Sequence, residues 1–544
     1  MVGVFGALFL FSLAFAQDNS TIRVETRLVQ ITAIVRDKHG AVADLTKNDF
    51  EIRDKGKART IATFSVARAA DHLARRALPP GTFSNRLDQK GDPPVTATVI
   101  LFDQLNTPFP DQAYARKQAV EFLKAIDPQS PLAIYALGNN LRVVHDFTDD
   151  RERLARALGR YRNTNSTLLE MSDTAASAIE IEGTSLDQQT RNMGTDMLGQ
   201  LLTPMQAFAL DRRVSMTMSA MKVLALRLGG LQGRKNLVWI SGAFPLGLAF
   251  DRGGLSGSGG QRVNYERDLK EAAQAIDRAN VAIYPVDARG LLVNNSFRPS
   301  MPARISSPTT RPQNQRSVSS SPETSGRGET ETMNLLADWT GGRAFYNTND
   351  LRAALKQAAD DSEVIYTLGF YVEEKDLDGS YHDIKVKTPK ATEARYRRGY
   401  FATPLWPKSA SSPGSVLAEA SLGPADATGI GLTASLAPVS GQAGIYSLAL
   451  HVDLDAVRLE EKNGKWVGGL ILGFLQQAAE GKVLESTSKE LQLNFTPERL
   501  QIGLQNGMDL RFNLRLGPDV AQLRTAVLDP ASGNVGSLRI PGPK

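Results

Sequence analysis

Residues 95–102 read Val-Thr-Ala-Thr-Val-Ile-Leu-Phe, a nearly unbroken apolar run of strand length that stops at an acid, Asp103. A run without alternation predicts a strand covered on both faces, the situation of strands in parallel sheets. The chain around it keeps this rhythm. Residues 112–126 place Ala115, Ala119, Phe122, Leu123 and Ile126 on one helical face. Residues 132–137 and 141–145 read as strands around the turn Gly138-Asn139-Asn140, and a helix follows over 149–158. Strands at 236–240 and 281–286 flank a helix at 264–279 with Leu269, Ala272, Ala273 and Ile276 on one stripe. Strands alternating with helices predict an α/β fold with a doubly wound, mainly parallel sheet.

The flanks differ. Residues 21–66 hold short alternating stretches joined by Asp/Gly turns, which predicts a small β domain. Residues 67–94, with Pro79-Pro80 and Pro93-Pro94, read as a linker before an α/β unit spanning 95–402. Two insertions interrupt that unit. Residues 161–210 are rich in Thr, Ser, Gln and Met, with moderate helical tendency. Residues 291–330 are rich in Ser, Pro and Arg with almost no bulky apolar side chains, so a disordered loop is expected. The α/β pattern resumes with helices near 331–339 and 349–360, then strands at 363–372, 381–387 and 395–401. Residues 403–416 form a second Pro/Ser-rich linker. Residues 417–544 contain strands at 445–452, 466–474, 489–495 and 510–516, which suits a β-sandwich.

Met1 to Ala16, MVGVFGALFLFSLAFA, is apolar throughout and ends small-x-small before Gln17. This predicts a signal peptide, hence export to the periplasm, outer envelope or medium. No later stretch approaches the ~18 apolar residues of a membrane-spanning helix, so no transmembrane segment is expected in the mature chain.

The chain has 544 residues and no cysteine, which excludes disulfides, thiolate metal sites and cysteine nucleophiles. Its formal net charge of +5 is spread among interleaved acids and bases, so no nucleic-acid footprint stands out. The five histidines are scattered, with no H-E-x-x-H pair. Gly254-Leu255-Ser256-Gly257-Ser258 lacks the last glycine of a nucleophile elbow. These absences argue for a protein that is not an enzyme.

The informative stretch is Asp103-Gln104-Leu105-Asn106-Thr107, just past the first central strand, where open α/β sheets bind ligands. Ser241 and Asp287 follow two other strands and face the same edge. Two readings stay open for Asp103 and Thr107. In one, Asp103 caps the turn and Thr107 opens the helix. In the other, they are a degenerate metal site, Mg²⁺ being the ion concerned. Asp287 is read the same two ways, as a loop-satisfying acid or as part of a ligand crevice with Asp103.

Together with Phe50-Glu51-Ile52-Arg53-Asp54-Lys55-Gly56, the segments Asn280 to Gly290, Leu336 to Phe345, Tyr366 to Tyr371, Asp378 to Val386 and Arg397 to Phe401 resemble the VWFA-related domain proteins abundant in acidobacteria. The resemblance covers roughly residues 21–402. It implies a von Willebrand factor type A-like, Rossmann-like domain. In adhesion sites of that type, Asp-x-Ser-x-Ser plus a later Thr and a later Asp hold the metal. Asp103 and Thr107 match the first and last of the motif, Leu105 replaces a Ser, and Ser241-Gly242 stands where an acid is expected. Thr164 and Thr167 are candidates for the middle Thr.

The function expected is an exported, non-catalytic protein for protein–protein interaction or adhesion, its partner protein unknown and its cofactor none, or Mg²⁺ at the degenerate site. The partner or metal residues are Asp103, Asn106, Thr107, Ser241 and Asp287. The alternatives are a hydrolase assembled from Asp103, Asp287 and His145, and a structural scaffold of an envelope complex.

Overall fold

The computed structural model describes residues 26–68, 78–86, 96–125, 131–171, 188–231, 233–244, 265–290, 322–348, 350–361, 363–403 and 412–543. The expected signal peptide, residues 291–321 of the expected loop, and most of residues 69–95 and 404–411 lie outside them.

The site rests on one five-stranded sheet. Its order is Val281–Asp287, Arg234–Ser241, Thr96–Asp103, Leu132–Leu137, Leu141–Thr148. The first three pairings are parallel. The last is antiparallel, because the turn at 138–140 is far too short for the crossover that a parallel neighbour needs. Both faces are covered. Val99, Leu101, Leu237 and Trp239 pack against Val214, Met218 and Leu224 of the helix Gln188–Gly229. Ile100, Phe102, Val238 and Ile240 face Ala119, Phe122 and Leu123 of Phe109–Ala125, and Leu154 and Leu158 of Arg151–Arg160. Burial on both faces is why these strands carry no polar alternation.

The expectation of a doubly wound, mainly parallel α/β fold is corrected. The molecule is β-rich, and four of its five sheets among the described residues pair only antiparallel, while the fifth is mixed. Thr26–Asp37 pairs with Val364–Glu373, with Val29 opposite Phe370, and Glu51–Asp54 pairs with Tyr381–Lys387. Val29, Ile31, Ile52, Tyr366, Phe370 and Tyr400 share one core. Residues 26–68 and 364–401 therefore build one β unit, although the sequence placed them in two. Strand partners more than 300 residues apart leave no local trace: each alternating strand shows its apolar face but not what covers it.

The C-terminal part holds two antiparallel sheets around Leu448, Leu450, Leu470, Leu472, Leu523 and Val527. Thr82–Ser84, from the expected linker, adds an edge strand to Leu432–Pro438. The helix Gln188–Gly229, 42 residues long, covers 188–210 of the 161–210 insertion, where a moderate helical tendency was expected, and Pro322–Thr340 makes 322–330 of the expected loop helical. Among the described residues no helix is long and apolar enough to cross a membrane.

Candidate functional site

Three parallel strands end side by side. Ser241 is in register with Asp287, and Ile240 with Phe102, the residue before Asp103. Asp103, Ser241 and Asp287 thus meet at one sheet edge, and all three are buried together with Asn106 and Thr107.

Asp103 is the hub. Its Oδ2 accepts from Trp239 Nε1 at 3.0 Å and Asn106 Nδ2 at 2.8 Å, and its Oδ1 accepts from the Asn106 backbone N–H at 3.0 Å. The Ser241 hydroxyl lies 2.9 Å from Oδ2 and 2.6 Å from the Ala243 carbonyl, so one proton serves two acceptors. Asn106 continues the network: its Oδ1 accepts from Arg213 Nε at 2.9 Å, and its Nδ2 also donates to Thr217 Oγ1 at 3.0 Å. Arg213 and Thr217 sit one turn apart on the long helix, where Thr217 Oγ1 donates to the Arg213 carbonyl. Burial raises the Asp103 pKa above the ordinary carboxylate value, against the opposing pull of the bonds from Asn106, Trp239 and Ser241.

Thr107 does not open its helix, which begins at Phe109. Its Oγ1 accepts from the Gly242 N–H at 2.8 Å and so staples the loop after the first strand to the loop after Ser241. The approach is close: a Cβ on Gly242 would lie 3.0 Å from Pro108 Cδ. Asp287 closes on its own loop, with Oδ1 accepting from the Arg289 backbone N–H and Nε and Oδ2 from Nη2, each at 2.9 Å.

Other candidates fall elsewhere. Thr164 Oγ1 reaches Gln104 Oε1 at 3.2 Å rather than Asp103, and Thr167 is exposed. His145 and Ile100 flank Ile134 from opposite sides. That places His145 two strands across and three residues below Asp103, roughly 10 Å in each direction. Its Nδ1 lies 2.6 Å from the Asp146 carbonyl. Asp103, Asp287 and His145 are not brought together.

The residues that sequence reasoning missed are Trp239, Arg213, Thr217 and Phe109. A Trp two residues before Ser241 on an apolar strand was visible, but only the register shows that its indole N–H meets Asp103. Phe109 is 50% exposed at the start of its helix, beside the crossing of the two loops.

No protein-family model and no curated relative matches the chain. Among solved structures, an aerotolerance-related membrane protein from Bacteroides fragilis overlaps 48% of this chain and 98% of its own, at 12% identity and TM-score 0.24. The conserved hypothetical protein BatB from Bacteroides thetaiotaomicron overlaps 49% and 98%, at 12% identity and TM-score 0.21. A mutant of the PilB minor pilin from Streptococcus sanguinis overlaps 49% and 60%, at 10% identity and TM-score 0.25. Overlaps at such scores carry no argument about a shared fold or role.

Proposed function

We propose that this chain is an exported, non-catalytic binding protein of the von Willebrand A-like kind, which presents the carboxyl-end edge of its mixed sheet to a partner protein. The observation that carries the proposal is a contrast within that edge. Asp103, Asn106, Thr107, Ser241 and Asp287 spend their polar atoms on one another and on the loops, while Phe109 stands exposed beside them. Loops pinned in advance lose little freedom on binding, and an exposed aromatic on a rigid support suits an anchor for a partner's pocket. The apolar start ending at Ala16 supports export.

The same saturation speaks against a bound Mg²⁺. That ion needs near-octahedral oxygen ligation, whereas the oxygens of Asp103 face N–H groups of Trp239 and Asn106, which offer a cation no lone pair. Asp103 and Thr107 are structural in this reading, and the chain takes no metal at that site.

The test is photocrosslinking in the source organism, with p-benzoylphenylalanine at position 109 of the full chain and at the exposed Ile502 as control. A discrete adduct at 109, lacking at 502, is the expected result. Equal or no adducts at both would refute the docking edge. Calorimetric titration with Mn²⁺ is expected to give no saturable heat, and micromolar binding abolished by Asp103→Ala would restore a metal site.

A further inference from the structure

We propose that a second site, a cavity between the helices Tyr265–Arg278 and Pro322–Thr340, the mixed sheet and the 381–401 hairpin, binds a small organic acid with a flat apolar body. It goes beyond the docking edge and does not depend on it.

The cavity holds about 60 Å³, against roughly 10–15 Å³ for one water, so it takes roughly four to six waters or a single ring. Its walls are apolar and aromatic. Met218, Ile276 and Trp239 line one part, and Trp339, Tyr381 and Phe401 another. The Trp339 and Tyr381 rings lie 5.8 Å apart, and Tyr381 and Phe401 5.4 Å apart. Such walls favour a flat hydrophobic occupant over water.

Two polar atoms among these walls lack a bond among the described residues. Arg397 Nε and Tyr381 Oη are buried without a hydrogen-bond partner among the described residues, and both residues line the cavity. Buried donors without partners are rare because each costs about 1–3 kcal/mol. Burial pushes the Tyr381 phenol well above its ordinary pKa, so it stays protonated as a donor. An acceptor on the occupant would satisfy both.

The charge points the same way. Arg397 Nη1 donates to Asp277 Oδ1, and Arg27 Nη2 lies 3.7 Å from Asp277 Oδ2. Arg27 and Arg397 are each more than nine-tenths buried. Two buried guanidiniums share one carboxylate, which leaves one positive charge in excess. Asp338 and Asp383 also act on Tyr381 but are solvent-exposed and therefore screened. A carboxylate on the occupant would balance the excess and accept from Arg397 and Tyr381, which neutral alcohols or hydrocarbons do only in part.

The probe is benzoate, titrated into the full chain by calorimetry, with benzyl alcohol and acetate as the ring-only and acid-only arms. Benzoate is expected to bind at least about tenfold more tightly than either. Tyr381→Phe should weaken benzoate about fivefold with an unchanged unfolding midpoint. Ala273→Leu, which fills the cavity from its half-buried wall, should abolish binding. Benzoate binding no tighter than the other two, or unaffected by both substitutions, would overturn the proposal. If Ala273→Leu fails to fold, Tyr381→Phe decides alone.

Discussion

The edge at Asp103 and the cavity at Arg397 treat buried polar groups in opposite ways, although the side chain of Trp239 belongs to both. Its indole N–H is bonded to Asp103, and its ring lines the cavity. At the edge, Asp103, Asn106, Ser241 and Asp287 are matched residue to residue, and the pocket beside Asp103 and Thr107 holds only about 10 Å³, room for roughly one water. In the cavity, a guanidinium nitrogen and a phenol are left unmatched among the described residues, beside about 60 Å³ of space. Titratable residues at strand ends drew attention in the sequence, and here Asp103 and Asp287 bond neighbouring side chains and their own loops. The unmatched atoms belong to Tyr381 and Arg397, within segments that carried the family resemblance but were not read as a site.

The largest way to break this contrast is Asp103→Ala. It strands three buried N–H groups, from Trp239 and Asn106, at once. Each costs about 1–3 kcal/mol, so a loss of at least about 3 kcal/mol is expected in denaturant unfolding, more than a simple turn cap gives. Asp103→Asn, which keeps one acceptor oxygen, should lose less. The unfolding midpoint of the native protein should be the same in Mg²⁺ as in chelator. A loss below about 1 kcal/mol in the alanine variant would show that the network contributes little and would weaken the reading of Asp103 as an anchor.

The strand that ends in Trp239 and Ser241 carries an opposite case at its other end. Lys235 is 4% exposed, and burial pushes its pKa down from 10.5 to about 8. Between those values the unfolded chain holds the proton and the folded chain does not, so stability rises with pH over that window. Below about pH 8 the folded state carries the buried ammonium at a cost of about 3 kcal/mol. Lys235→Met should recover about 2–3 kcal/mol at pH 7 and abolish the rise between pH 8 and 10.5. Thermal unfolding across pH 7 to 10.5 reads both. A variant less stable than the native protein at pH 7 would mean that the ammonium is compensated.

These outcomes bear on what the sequence could say. The apolar runs at 95–102, 132–137, 236–240 and 281–286 announced strands that the structure places at 96–103, 132–137, 234–241 and 281–287, and the 138–140 turn announced its hairpin. The meeting of Asp103 with Ser241 followed from placing both at carboxyl ends of strands. Local pattern does not carry register or distant pairing. The donor from Trp239, the hydroxyl of Thr217 111 residues beyond Asn106 and the union of 26–68 with 364–401 depend on contacts that no window of sequence contains. The doubly wound expectation failed for the same reason: the α/β unit was carried on to residue 402, over strands at 363–372 and 381–387 whose partners are the antiparallel strands at 26–37 and 51–54. Arg397 and Tyr381 showed only an ordinary base and an ordinary aromatic, because an unmet hydrogen bond exists only in the folded arrangement.

The smallest effect separates the two regions most sharply. Tyr381→Phe removes a hydroxyl that bonds nothing among the described residues, so folding should change by less than about 0.5 kcal/mol or improve slightly, since a buried group without a partner only costs. The ring contacts to Trp339 and Phe401 remain. Trp239→Phe, which keeps an aromatic but deletes the N–H bonded to Asp103, should cost about 1–3 kcal/mol through one lost bond to a carboxylate oxygen that keeps its donors from Asn106 and Ser241. Measured together by chemical unfolding, the pair compares one polar atom that is matched with one that is not, on walls of the same cavity. If both substitutions cost the same, Tyr381 has a partner in solution and the cavity has no unmet donor there to offer an acid. If Tyr381→Phe is neutral while benzoate binding weakens, the hydroxyl serves the ligand and not the fold.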